Sequence, residues 1–317
     1  MTVFSLRNKS GNGIETILRR GPTRLERREW LEGYLFIAPW WLGFIIFTAG
    51  PFLAAIYLSM TKYDLVTSPR FIGAANYMQM LQDPLIFHSL QITAVYAVAG
   101  VILRFIVGLF LAILVNQKVP IVNFFRTAYE LPTVITGVAV ALMWQRVFHA
   151  EFGMVNNFLK LLGIQGPAWF GHPDWVVPTF ILLNFWEAGR TMVIYLAGLQ
   201  TIPNELYEAA TVDGAGNFRK FQHITLPLLT PVIFFQIVLG IISSFQVFAL
   251  AYIITQGGPA NSSLFYVLYI YRQGFQYLDM GYASAMAEVL FLIILGITLV
   301  LWLTSGRWVF YMGEIRK

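Results

Sequence analysis

The sequence predicts an all-α protein that crosses a membrane six times, on three observations. First, 57% of its 317 residues are hydrophobic and only 12% are charged, about half the charged fraction of soluble domains. The mean hydropathy of +0.65 agrees. Second, six stretches carry the ~20 mostly apolar residues that a helix needs to cross a hydrocarbon core. Third, lysines and arginines are strongly biased to one side of those stretches, the pattern that sets orientation.

The spans are expected at 34–60, 88–115, 127–148, 176–199, 228–254 and 284–303. Irregular backbone cannot face lipid, so each is expected to be helical. The first contains Pro39, Gly43, Gly50 and Pro51 and is expected to kink or break. With six crossings, fourteen basic residues share one side: seven before Trp30, then Lys118 and Arg126, Arg219 and Lys220, and Arg307, Arg316 and Lys317. The opposite loops hold Lys62, Arg70, Lys160 and Arg272. Both termini are therefore expected in the cytoplasm.

Three regions follow: a basic cytoplasmic arm (1–29), a transmembrane domain (30–305) and a short cytoplasmic tail (306–317). The arm starts polar and basic, so no cleavable signal peptide is expected. It should be flexible to about Pro22, after which Thr23 and Glu26 match a capping box and predict a helix start. Its Trp30 and arginines suit a membrane surface. Two outer segments, 61–87 and 149–175, are long, and the second is predicted to hold a short helix over 154–162. Loops of that length usually carry function.

The composition also excludes. The chain has no cysteine, so disulfides, thiolate metal sites and cysteine nucleophiles are absent. His88, His149, His172 and His223 fall at span ends or in loops without metal-ligand spacing. No phosphate-binding Gly-x-x-x-x-Gly-Lys-Ser/Thr run occurs. The net charge of +5 follows topology and is no sign of nucleic-acid binding.

Between the fourth and fifth spans lies EAATVDGAGNFRKFQHITLPLL, residues 208–229. Pro203 and Glu205 suit a helix entrance. Asp213-Gly214 signals a turn, Asn217 is a candidate cap for a second short helix, and Leu226-Pro227 is expected to end it. The result is a helix–turn–helix bracket in loop 201–227. Ala209 and Ala210 let a partner approach the backbone, Glu208 offers an acceptor, and Phe218 and Phe221 are expected to share a face as apolar anchors. Composition alone leaves an ordinary interfacial loop helix equally open. The motif decides. Glu208-Ala209-Ala210, then Asp213-Gly214, then Ile224-x-Leu226-Pro227 resembles the EAA signature of ABC importer permeases, with Leu199-Gln200-Thr201-Ile202-Pro203 before it. Thr255-Gln256-Gly257-Gly258-Pro259-Ala260 resembles the outer-loop motif of the carbohydrate-uptake branch.

That resemblance, over residues 30–305, implies a type I ABC importer permease fold in a bacterial or archaeal cytoplasmic (inner) membrane. It implies that the bracket is a coupling helix docking on a separate ATPase subunit through Glu208, Ala209, Ala210, Asp213, Gly214, Phe218, Phe221, Leu226 and Pro227. It further implies a second permease, expected to differ from this one, two ATPase subunits that hold ATP and Mg, and an extracytoplasmic solute-binding protein. This chain then needs no cofactor of its own and is not an enzyme. The cargo class is a sugar, oligosaccharide or related polar solute.

Polar residues inside spans are costly and therefore informative. Asn184, Glu187 and Arg190 form a stripe on the fourth span, where Glu187 and Arg190, three apart, are expected to pair. Such a pair either joins helices or lines the path. Gln246 and Tyr252 are further pathway candidates. Arg104 either snorkels or pairs with a carboxylate such as Glu187, and Glu288 is expected to reach interfacial water. A stand-alone secondary transporter or channel would need inverted repeats or a coupling-ion site, and neither is evident. An intramembrane hydrolase would need a nucleophile and base within the spans, and no histidine lies mid-span.

Overall fold

The computed structural model describes residues 23–117, 122–131 and 135–310. The expectations for the arm before Thr23, for Lys118, and for Arg316 and Lys317 lie outside the described residues. The chain divides into two units, 1–57 and 58–317.

In the first unit, α1 (Arg24–Phe44) begins directly after Thr23, where the sequence predicts a start, and the Arg27 N–H donates to Thr23 O at 2.9 Å. The predicted kink takes the form of a wide turn. α1 passes through a π-helical turn, Ile45–Ala49, into α2 (Gly50–Ser59). Pro51 cannot donate a hydrogen bond and its ring crowds the carbonyl four residues back. A π turn relieves this by bonding five residues apart, as Gly50 N–H does to Ile45 O. Phe36 and Phe47 are exposed, as suits lipid as solvent.

The second unit opens with a small antiparallel pair, β1 (Thr61–Lys62) and β2 (Arg70–Phe71). Its turn is tied by Asp64, whose Oδ1 accepts from Val66 N–H, Thr67 N–H and Thr67 Oγ1. α3 (Ala75–Gln82) follows, and buried Asn76 donates to Ser59 O and Thr61 O. α4 (Pro84–Val115) is the long central helix. Asp83 caps it by accepting from Leu85 N–H at 2.9 Å, and Pro84 sits where its missing N–H costs nothing.

The third expected span, 127–148, is not one helix. α5 (Val122–Glu130) and α6 (Gly137–Val147) are separate. The 11 residues of α6 reach about 16 Å, about half a hydrocarbon core. The sequence places Pro132 between them, which no helix interior tolerates well. α7 (Met154–Leu161) is the short loop helix that the sequence predicts.

The fourth expected span, 176–199, is also interrupted. α8 (Pro173–Leu183) and α9 (Ala188–Gln200) flank a turn at 184–187. There Asn184, Phe185 and Trp186 bond to carbonyls three residues back, a tighter coil than the α-helix. The fifth is extended at its start. α10 (Asn204–Val212) and α11 (Asn217–Lys220) form the bracket, and a π turn, Phe221–Thr225, leads straight into α12 (Leu226–Phe245). The chain loosens at 246–248 before α13 (Ala249–Ile254). α14 (Tyr266–Tyr271) and α15 (Met280–Trp308) complete the unit. Among the described residues, four helical runs are long and apolar enough to cross a membrane: Arg27–Ser59, Pro84–Val115, Asn217–Ile254 and Met280–Trp308.

The core forms two clusters along α4. Near its Pro84 end, Tyr96 packs with Phe180, Phe265, Tyr266 and Met286. Near its Val115 end, Leu109 and Ala112 pack with Met192, Tyr195 and Leu229. Small residues set the close approaches, as they do between helices in lipid. A Cβ on Gly108 would lie 2.7 Å from Thr191, and one on Gly198 would lie 2.8 Å from Leu229.

Candidate functional site

The interrupted helices converge on a cavity of about 570 Å³. Gly137 opens α6 there, Trp186 and Glu187 lie in the turn before α9, and Gln246 ends α12. Broken helices at membrane depth are tolerated where they line a polar cavity. The breaks and the cavity therefore explain each other.

Its charges come from three side chains: Arg104 on α4, Glu187 and, on α9, Arg190. Arg104 is mostly buried, with its side chain 14% exposed against 57% for Glu187. Its Nη1 lies 3.6 Å from Glu187 Oε2. The guanidinium also donates to Ser243 Oγ at 3.4 Å, to Gly240 O at 3.4 Å and to Ser244 Oγ. Its Nε–H faces Gly100 O at 3.5 Å, so every direction of its planar fork is occupied. Glu187 does not pair with Arg190 as the i, i+3 spacing predicts. It precedes α9, at φ −82° and ψ −5°, so the two side chains do not stack on one helical face. Arg190 is exposed into the cavity, and among the described residues it has no hydrogen-bond or ion-pair partner.

Two pathway candidates lie elsewhere. Asn184 is buried, its amide donating to Phe180 O at 3.2 Å and Ile181 O at 3.1 Å beside Gly100. It braces the turn and lies outside the cavity lining. Tyr252 stacks on Phe248 at 5.3 Å and meets Tyr271 edge-on, also outside the lining. Glu288 is buried, not at interfacial water. Of the two roles the sequence offers Arg104, the structure shows the pairing with Glu187, and Ser243 joins it as a partner that span composition does not single out. The detectable signal was an arginine deep within a span whose neighbours offer one carboxylate.

The segment at 255–260 is a compact knot around a cis Gly258-Pro259 bond. Ser263 Oγ donates to Gly258 O at 2.6 Å, and Arg272 donates to Gln256 O and to Asn261 Oδ1. Tyr266 N–H is fixed by Thr93 Oγ1 of α4 at 2.9 Å.

The bracket stands at the far end of α9 from the cavity turn. Gly214 takes φ +76°, which a side chain would resist. The two arms are tied across the turn: Lys220 Nζ donates to Thr211 Oγ1 at 2.7 Å, and the Tyr207 and Thr225 hydroxyls lie 2.9 Å apart. Glu208, Ala209, Asp213 and Phe218 are exposed, and Ala210 is half-buried. Three local expectations are corrected. Gly216, not Asn217, precedes α11, and no side chain caps it. Leu226 and Pro227 do not end the helix. Pro227 sits in the first turn of α12, and the π turn carries the chain through it. Phe218 and Phe221 diverge, because Phe221 packs half-buried against the Leu229 cluster while Phe218 is 77% exposed.

Apolar helices around a charged central cavity, with a rigid exposed bracket at one end, define an integral membrane permease. The chain belongs to the family of binding-protein-dependent transport system inner membrane components, whose model matches residues 104–305. It is 43% identical over 310 residues to the probable ABC transporter permease protein YesP of Bacillus subtilis (strain 168), covering 96% of this chain and 99% of that protein. It is 34% identical to the sulfoquinovosyl glycerol transport system permease protein SmoG of Agrobacterium fabrum (strain C58 / ATCC 33970), covering 90% and 94%. A solved bacterial alginate ABC transporter, in complex with an alginate pentasaccharide-bound periplasmic protein, superposes with a TM-score of 0.79 at 26% identity over 89% of this chain and 96% of that one. The fold is thus the type I ABC permease fold, and the chain is an ABC transporter permease.

Proposed function

We propose that this chain is one of two permease subunits of an ATP-driven importer in a bacterial or archaeal cytoplasmic membrane. A different second permease completes the path, and an extracytoplasmic solute-binding protein delivers a sugar, oligosaccharide or related polar solute. Two ATPase subunits, which hold ATP and Mg, dock on the 201–227 bracket. In this reading the chain crosses six times, the interrupted stretches count as crossings, and both termini face the cytoplasm. The basic-residue bias supports that orientation, and the sulfoquinovosyl glycerol and alginate transporters support a saccharide cargo.

The observation that carries the proposal is the bracket. A turn held at positive φ and two cross-ties make it stiff, while Glu208, Ala209 and Phe218 stay exposed. A stiff element continuous with α12 passes a push on its outer face to the cavity as a rigid-body shift. Purification of the tagged chain in mild detergent tests this. An ATP-hydrolysing subunit is expected to co-purify with the wild type and to be depleted by Glu208→Lys, which reverses the charge of the docking face. Full recovery of the ATPase with that variant would show that the bracket is not the docking face.

A further inference from the structure

We propose that the cavity takes an acidic saccharide, a uronate-type sugar whose carboxylate is held by Arg190. The inference rests on the importer reading above and narrows its cargo.

The argument starts from charge. Two arginines and one glutamate face the cavity, leaving one positive charge in excess. Arg104 is already neutralised by Glu187 and bonded to Ser243, Ser244 and the Gly240 carbonyl. The excess therefore sits on Arg190, which among the described residues has no partner. An unpaired cation at membrane depth is costly and marks a pathway or a ligand. A neutral sugar would leave that charge unanswered when the site closes. A carboxylate answers it, because the guanidinium fork matches a carboxylate with two parallel hydrogen bonds. The remaining wall suits the rest of a sugar. Gln236 and Gln246 bring amides, Ser243 a hydroxyl and Trp186 an aromatic face. The cavity volume lies within the ~300–1,000 Å³ typical of small-molecule sites. A carboxylate on the second permease would meet Arg190 equally well and would make the path neutral, an outcome the experiment separates.

The test uses the complete transporter with its solute-binding protein in proteoliposomes. Two oligosaccharide pools are offered, one prepared from pectate and alginate and one from starch and arabinan, and luminal contents are read by mass spectrometry. ATP-driven accumulation of uronate-bearing species is expected, falling about tenfold or more in Arg190→Gln and partly retained in Arg190→Lys. Accumulation of neutral species alone by the wild type overturns the proposal while leaving the importer reading intact. So does undiminished uronate uptake by Arg190→Gln. If Arg190→Gln does not assemble, the wild-type comparison still decides the cargo class and Arg190→Lys reads the residue, with fully undiminished uronate uptake by Arg190→Lys counting against a two-bond guanidinium contact. Accumulation of nothing from either pool counts against the importer reading itself and removes this proposal with it.

Discussion

At Gly214, φ +76° is the whole requirement, since nothing lies within 4 Å of an added Cβ. Gly216, two residues on, has equally open space but φ −71°. A methyl at 214 costs about 1–2 kcal/mol of backbone strain, while the same methyl at 216 meets neither strain nor a neighbour. Gly214→Ala is therefore expected to lower uptake, by up to the roughly five- to thirtyfold that such a cost shifts an equilibrium, with membrane insertion unchanged. Gly216→Ala is expected to match the wild type. Equal uptake by the two variants, at equal amounts on an immunoblot, would show that the turn conformation does not matter to transport. Arg104 shows the opposite kind of residue. Its role depends on a partner 83 positions away, so spacing within α4 says nothing about it.

At the level of elements, the α4–α9 contact depends on absent side chains. A methyl on Gly108 would lie 2.7 Å from Thr191 Cγ2, whereas Gly296 on α15 faces open space. Gly108→Ala is expected to cost about 1–3 kcal/mol as overpacking and to lower the melting temperature in detergent by a few degrees. Gly296→Ala is expected to be neutral or slightly stabilising, because alanine favours the helix. In the β1–β2 turn, the backbone N–H of Thr67 holds the Asp64 carboxyl below its ordinary value. The sign follows from that depression. The turn is held while Asp64 is ionised, and the hold is lost as pH falls below the ordinary aspartate range through the depressed value. Amide protection at Val66 and Thr67, measured against the intrinsic exchange rate at each pH, is expected to fall at acid pH, and Asp64→Asn should remove most of that pH dependence. Elements are legible in sequence where one apolar run settles them. α4 and α15 read directly, because neither has a proline beyond its first turn. The breaks at 184–187 and 246–248 do not, because Asn184, Glu187 and Gln246 read as polar residues on continuous helices. Only the cavity supplies the reason for the chain to turn there. The same holds for Pro227, a helix terminator by local rules that the π turn at Phe221–Thr225 absorbs.

For the whole molecule, orientation is the claim on which the bracket's role depends, and it rests on fourteen basic residues against four. The interrupted stretch of α8 and α9 decides whether that count is applied correctly. Its 28 residues from Pro173 to Gln200 reach about 42 Å if laid end to end, enough to cross a ~30 Å core despite the turn. If the stretch instead folded back, α7 and the bracket would share a side. The chain contains no cysteine, so single cysteines report without a background. Leu161 and Phe218 are 84% and 77% exposed and lie on either side of the stretch. Leu161→Cys is expected to react with an impermeant maleimide in intact spheroplasts. Phe218→Cys should react only in inside-out vesicles, and should be protected there when the ATPase is bound. Labelling of both from the same side would make α8–α9 re-entrant and reduce the number of crossings. Labelling in the reverse order would place the bracket outside, where no ATP-hydrolysing subunit can reach it.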